Sequence, residues 1–232
     1  MNIYFLQHET FEAPGAYLIW AQNRHHAIHF IRVFENDPLP TSVADIDLLI
    51  VMGGPQSPNT TQEECPYFNA KAEIELMQKV IQAGKKVIGV CLGAQLMGCA
   101  FGADVQRSPE REIGVFPITL TEAGEKNKNT HSFGKTLLVG HWHGDMPGIT
   151  AKSKILAVSK GCPRQIIAFA PNAYGFQCHM ELTKEVVEML IESDPHQFAK
   201  STFVQQPEII CQHDFSEMNQ FLFQFLDEFT NN

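Results

Sequence analysis

The chain has 232 residues, with 26 acidic against 17 basic side chains and a formal charge of −9. Such a surface repels polyanions and offers no basic patch for a phosphate backbone, so nucleic acid is not expected as a partner. The opening "MNIYFLQHET" has no basic stretch leading into an apolar one, and no apolar run approaches the roughly 20 residues that span a bilayer; a cytoplasmic protein without membrane contact is expected.

Apolar residues make up 44% of the chain and charged residues 19%, the balance of a soluble globular protein with a substantial core. One domain over 1–232 is expected, with a C-terminal helical extension at about 183–232. The six cysteines, Cys65, Cys91, Cys99, Cys162, Cys178 and Cys211, are scattered and include no C-x-x-C pair. They read as free thiols rather than a disulfide framework or a structural zinc site.

In chain order, "NIYFLQ" from Asn2, "AIHFIRVF" from Ala27, "DLLIVM" from Asp47 and "KKVIGV" from Lys85 are short β-branched runs. Between the last two, "YFNAKAEIELMQKVIQAG" carries apolar residues near helical spacing and stops at Gly84. The alternation predicts βαβ units: an α/β, three-layer, flavodoxin-like fold with a mostly parallel central sheet and helices on both faces. After a short helix from Leu92, "EIGVFPITL", "TLLVG", "KILAVS" and "QIIAFA" predict a small antiparallel extension. The tract "TEAGEKNKNTHSFGK" reads as a solvated insertion. "LTKEVVEMLIES" and "DFSEMNQFLFQFLDEF" predict two amphipathic helices, whose phenylalanines are expected to pack on the body of the domain rather than form a binding stripe.

Three motifs carry chemistry. In "GVCLGAQ", Cys91 lies between Gly89 and Gly93, after an apolar strand and before a helix. Glycines at both flanks permit a strand-turn-helix corner in which the central side chain projects above the sheet edge. There the helix dipole favours a thiolate, and the Leu92 N–H aims at a developing oxyanion. In "YGFQCHMELT", His179 and Glu181 are two residues apart, so an extended backbone turns both to one face; the carboxylate then holds one imidazole nitrogen and leaves the other free. Cys178, of opposite parity, is expected to pack in the core. In "VMGGPQS", a strand runs into Gly53 and Gly54, whose N–H groups can meet negative charge.

Together these motifs resemble the class I glutamine amidotransferase family, with its Gly-Gly oxyanion loop, G-x-C-x-G-x-Q elbow and terminal G-x-Q-x-H-x-E segment. The resemblance covers about residues 1–190 and is nearest to the stand-alone, GMP-synthase-like branch. Where many members read G-V-Q-F-H-P-E, this chain has Phe176, Cys178 and Met180. The resemblance implies a nucleophile at Cys91, a proton shuttle at His179 and an orienting carboxylate at Glu181. It further implies an oxyanion hole at Gly54 and Leu92, with substrate contacts from Gly53, Gln95, Trp142 and His143.

The implied activity is release of ammonia from the glutamine side chain through a γ-glutamyl thioester, with a separate ATP-dependent synthetase subunit as the implied partner. Hydrolysis of γ-glutamyl peptides by the same triad is the alternative, and a noncatalytic binding or regulatory protein the alternative of another class. The segment "GHWHGDM" resembles the family loop that clamps the amino-acid end of the substrate. His141, His143 and Asp145 also spell an H-x-H-x-D metal pattern, but three ligands on one short loop are slender support. No metal or cofactor is expected.

Overall fold

The structure is a computed structural model and describes residues 1–231. In chain order it runs β1 (Asn2–Gln7), α1 (Gly15–Asn23), β2 (Ala27–Arg32), β3 (Leu48–Val51), α2 (Ala70–Gln82), β4 (Lys86–Val90), α3 (Leu92–Ala100) and β5 (Gln106–Leu120). The one-turn α4 (Glu122–Glu125) follows, then β6 (Thr136–Met146), β7 (Lys154–Val158), β8 (Ile166–Ala170), β9 (Ala173–Phe176), α5 (Lys184–Ser193), the one-turn α6 (Pro207–Ile210) and α7 (Ser216–Thr230). No helix among the described residues is long and apolar enough to cross a membrane.

All nine strands among the described residues form one sheet in the order β2-β1-β3-β4-β9-β8-β7-β5-β6. From β2 to β9 neighbours are parallel, and from β9 to β6 they are antiparallel. The α/β layering is as expected, but the sheet is mixed rather than mostly parallel. The cause is the length of the second half: β5 and β6 span 15 and 11 residues, and antiparallel neighbours can be joined by short turns without crossover helices.

Strand alternation fills both faces of the parallel half. Ile3, Phe5, Leu48 and Ile50 pack with Trp20, Val187 and Phe225 from α1, α5 and α7. Leu6, Leu49 and Val51 pack with Leu76, Met77 and Leu96 from α2 and α3. The α1 segment "GAYLIWAQN" has almost no polar face, so it carries no amphipathic signal, and it buries Ala16, Tyr17, Trp20 and Ala21. Asp227 of α7 accepts hydrogen bonds from Trp20 Nε1 at 2.8 Å and Arg24 Nη2 at 2.7 Å, joining the last helix to the first. Phe225 and Phe229 are buried, as the packing reading of this aromatic helix expects.

Two segments depart from the sequence reading. The tract 121–135 is not simply a solvated insertion: Asn129, Thr130 and Phe133 are buried, and Asn129 Nδ2 donates to the Tyr174 hydroxyl at 3.0 Å. Its surface-like composition conceals a short run that covers the sheet. The segment Gly140–Met146 is no loop, but the second half of β6, paired with β5 through Gly140↔Val115 and Asp145↔Arg107.

Candidate active site

Four of the β-strands that position the site end at one edge of the parallel half-sheet. β4 delivers Cys91, which caps α3 with φ +49° and ψ −105°. A non-glycine residue held there is strained, and such strain persists only where the surroundings impose it. The surroundings are the two glycines. A Cβ at Gly89 would lie 2.2 Å from the Gly93 carbonyl oxygen, and one at Gly93 would lie 2.0 Å from that of Val51. Neither glycine has positive φ; they are needed for space, while the unusual dihedral falls on the cysteine.

Cys91 is buried except for its 6% exposure to a cavity of about 590 Å³. Gly54, Gln95, Trp142 and His143 line the same cavity, together with Glu12, Arg107 and Arg111. The thiol points at the Trp142 carbonyl oxygen, 3.8 Å away. Gln95 is held by a hydrogen bond from its Nε2 to Gln177 Oε1 at 3.2 Å. Leu92 opens α3, so its N–H has no partner within the helix. Gly54 is its neighbour: a Cβ there would come within 2.9 Å of Leu92 Cδ2.

His179 and Glu181 lie just after β9, where His179 is tied to Gly140 of β6 by a pair of backbone hydrogen bonds of 2.8 and 3.0 Å. Both side chains are buried, and His179 Nδ1 donates to Glu181 Oε1 at 2.6 Å. His179 Nε2 is buried without a hydrogen-bond partner among the described residues. Burial disfavours the imidazolium, but the Glu181 charge and the nearby Cys91 outweigh it and hold the His179 pKa well above its ordinary value. The Glu181 backbone is fixed in turn by α1, since its carbonyl accepts from Ala16 N at 2.9 Å. Gly15, at φ +46°, makes room for that carbonyl, which would sit 2.2 Å from a Cβ.

The other residues singled out in the sequence are placed as follows. His143 turns both ring nitrogens to the protein, Nδ1 to the Asp145 carbonyl at 3.1 Å and Nε2 to Glu112 at 3.2 Å. Trp142 uses its indole N–H on Gln197 Oε1 at 2.6 Å. Asp145 does not join His141 and His143 as the H-x-H-x-D pattern suggested, but pairs with Arg107 at 2.9 Å; Glu112, from another strand, takes its place. Cys178 is fully buried with Sγ 3.7 Å from the Gln165 carbonyl, and desolvation pushes its thiol pKa well up, in keeping with a packing role.

Two features escaped the sequence reading. Buried His8 contacts the Gly53 carbonyl through Nδ1 and Glu73 Oε2 through Nε2, both at 2.9 Å. Both partners accept hydrogen bonds, which favours the charged, doubly protonated ring. Desolvation opposes that charge, yet Glu73 and the Gly53 carbonyl outweigh it and raise the pKa. His8 thereby braces the glycine turn. Glu12 is the second: its carboxylate packs on Gly53, with Oε2 2.3 Å from where a Cβ would stand. Desolvation raises its pKa to about 7, with His179 pulling down and Glu181 pushing up.

Glu12 yields a pH prediction. Its folded pKa lies above the ordinary 4.5, so any stability it contributes is present below pH 4.5 and is lost as pH rises to 7. Above that pH its ionisation costs up to about 3 kcal/mol, at 1.36 kcal/mol per pKa unit. Glu12→Gln is therefore expected to raise the melting temperature at pH 8 and leave it almost unchanged at pH 4. Equal shifts at the two pH values in a thermal melt would exclude the assigned cause.

A strained cysteine at a strand-to-helix corner of a mixed α/β sheet has the geometry of a nucleophile elbow. Residues 19–193 match the model of the glutamine amidotransferase class-I family, and the chain belongs to that family. It is 48% identical over 233 residues to the glutamine amidotransferase-like protein YfeJ of Salmonella typhimurium, covering 99% of this chain and 98% of that one. The crystal structure of SMU.1228c is similar at TM-score 0.97 and 52% identity, covering 99% of this chain and 100% of that one. The glutamine-hydrolyzing GMP synthase of Salmonella typhimurium is 36% identical over 143 residues, which cover 58% of this chain and 25% of that protein.

Proposed function

We propose that the protein is a cysteine amidohydrolase that cleaves γ-glutamyl amides. The observation that carries this reading is the buried His179–Glu181 pair, with Nε2 left without a partner close to the strained Cys91. In the reaction, Cys91 Sγ attacks the γ-carbonyl and its proton passes to His179 Nε2. Glu181 holds Nδ1–H and so fixes the tautomer that leaves Nε2 as the base. The Gly54 and Leu92 N–H groups meet the oxyanion. As the tetrahedral intermediate collapses, the C–N bond breaks and His179 returns the proton to the departing nitrogen. Water then attacks the thioester, releasing glutamate and the thiol. Gln95, Trp142 and His143 shape the pocket around the amino-acid end, while Gly53, packed against His8 and Glu12, sets the turn that presents Gly54.

The cavity bears on the leaving group. At about 590 Å³ it lies in the range that holds drug-sized ligands, larger than free glutamine requires. Arg111 on its wall supplies a cation for a carboxylate, while Arg107 beside it is paired with Asp145. Both features favour hydrolysis of a γ-glutamyl compound with an acidic leaving amine. Glutamine, the smallest such amide, remains the substrate if ammonia is passed to a separate ATP-dependent synthetase; the similarity to the glutamine-hydrolyzing GMP synthase favours that second reading.

Incubation with γ-glutamyl dipeptides and with glutamine, scored for glutamate, amino acid and ammonia, distinguishes the two. Faster cleavage of the dipeptide supports the first reading. Diazo-oxo-norleucine is expected to label Cys91, and His179→Ala to abolish the labelling. Failure to cleave either substrate, with no adduct on Cys91, would favour a noncatalytic binding or regulatory role.

A further inference from the structure

β6 carries His141 and His143 two residues apart, so both side chains leave the same face of the strand. On β5, Glu112 is paired in register with His143, and Gly114 with His141. This sets one carboxylate beside both rings: Glu112 Oε2 is 3.6 Å from His141 Nδ1 and 3.2 Å from His143 Nε2. Gln165, just before β8, completes the group, with Nε2 2.7 Å from Glu112 Oε2 and 3.2 Å from His143 Nε2. All four side chains are buried.

The outer nitrogens determine what the inner ones present. His141 Nε2 lies 3.2 Å from the Phe116 carbonyl oxygen, and His143 Nδ1 lies 3.1 Å from that of Asp145. A carbonyl only accepts, so in neutral rings those nitrogens carry the hydrogens. His141 Nδ1 and His143 Nε2 are then lone pairs directed at a carboxylate oxygen. The three ligand atoms lie within 4.8 Å of one another, and acceptors so gathered out of water call for a shared proton or a metal cation between them. The Gln165 amide hydrogens meet only part of that need. His141 Nδ1 and Gln165 Oε1 are both buried without a partner. Rotating the Gln165 amide by half a turn places its oxygen, rather than its nitrogen, in the cluster.

We infer that Glu112, His141 and His143, with the amide oxygen of Gln165, bind a divalent transition cation of the zinc class. Two imidazole nitrogens and a carboxylate oxygen suit such an ion. Each imidazole donates its other N–H to a backbone carbonyl, and Ser159 Oγ at 2.8 Å and Gly161 N at 3.2 Å hold the carboxylate in place, the outer support that metal ligands need. His143 borders the cavity and provides the entry path. The ion ties β5, β6 and the start of β8 together beside Trp142 and the Gly140–His179 bridge. Cys91 is not a ligand, so the ion stiffens the wall of the site without entering the chemistry.

The test uses the full chain carrying Cys91→Ser, which removes the reactive thiol as a competing ligand. The protein is stripped with chelator, loaded with Zn²⁺ or Co²⁺, desalted and assayed for metal content and visible absorption. Equimolar retention, cobalt d–d bands without a sulfur charge-transfer band, and a melting temperature raised by zinc are expected. Glu112→Gln and His141→Gln should each lower metal affinity at least tenfold, with circular dichroism checking the fold. Absence of retained metal would overturn the inference and leave a proton-bridged network, as would retention undiminished in both folded variants. If the variants do not fold, the cobalt spectrum of the parent chain decides: nitrogen and oxygen ligation supports the site, and sulfur ligation refutes it.

Discussion

Cys91→Ser is expected to lower kcat for a γ-glutamyl amide by about 10⁴-fold or more while leaving KM and the melting temperature nearly unchanged. Serine keeps the shape of the side chain, so the strained corner and the contact with the Trp142 carbonyl at 3.8 Å persist. What is lost is a nucleophile that His179 can deprotonate near neutral pH, and with it the thioester. Glu181→Gln should act on the same step from the other side. It replaces the 2.6 Å acceptor of His179 Nδ1 with an amide that no longer secures the required tautomer, and a loss of about 10³- to 10⁴-fold is expected. Steady-state kinetics on the best γ-glutamyl substrate checks both. Turnover by Cys91→Ser within tenfold of the parent would place the chemistry on another residue.

The second large effect is structural. Gly89→Ala and Gly93→Ala each drive a methyl group into backbone, 2.2 Å from the Gly93 carbonyl oxygen in one case and 2.0 Å from that of Val51 in the other. Backbone cannot swing aside as a side chain can, so β4, β3 and the first turn of α3 must separate. The expected cost is about 3 kcal/mol for each, at the upper end for overpacking, and activity should fall with it because the Cys91 corner opens. For a chain of this length that is a drop of roughly 6–12 °C in melting temperature. Gly102→Ala is the control: φ there is +84° but nothing lies within 4 Å of the added carbon, so only dihedral strain of about 1 kcal/mol applies. Melting curves in which all three variants lose the same amount would refute the steric account.

Residues that act within one short segment were legible in advance. The elbow is read from Gly89, Cys91 and Gly93, and the His179–Glu181 hydrogen bond from a spacing of two. The parallel strands and the helices α2, α5 and α7 follow from apolar periodicity. α1 was missed because "GAYLIWAQN" is apolar on nearly every side, which leaves no period to detect. The mixed character of the sheet was underestimated because short β-branched runs look alike whether their neighbours run parallel or antiparallel. "GHWHGDM" read as a loop because its glycines and histidines lack strand propensity, whereas pairing with β5 holds it extended.

The sequence by itself determined the candidates for the site: which thiol, which imidazole and which carboxylate to propose, in an α/β chain. These identities are written in local spacings of one to four residues, where backbone geometry dictates which side chains share a face. Only the tertiary structure decided what surrounds them. His8 meets Glu73 across 65 positions, Glu12 reaches Gly53, and Glu112 rather than Asp145 joins His141 and His143. Such contacts are set by strand order and register across the sheet, and no periodicity along the chain records them.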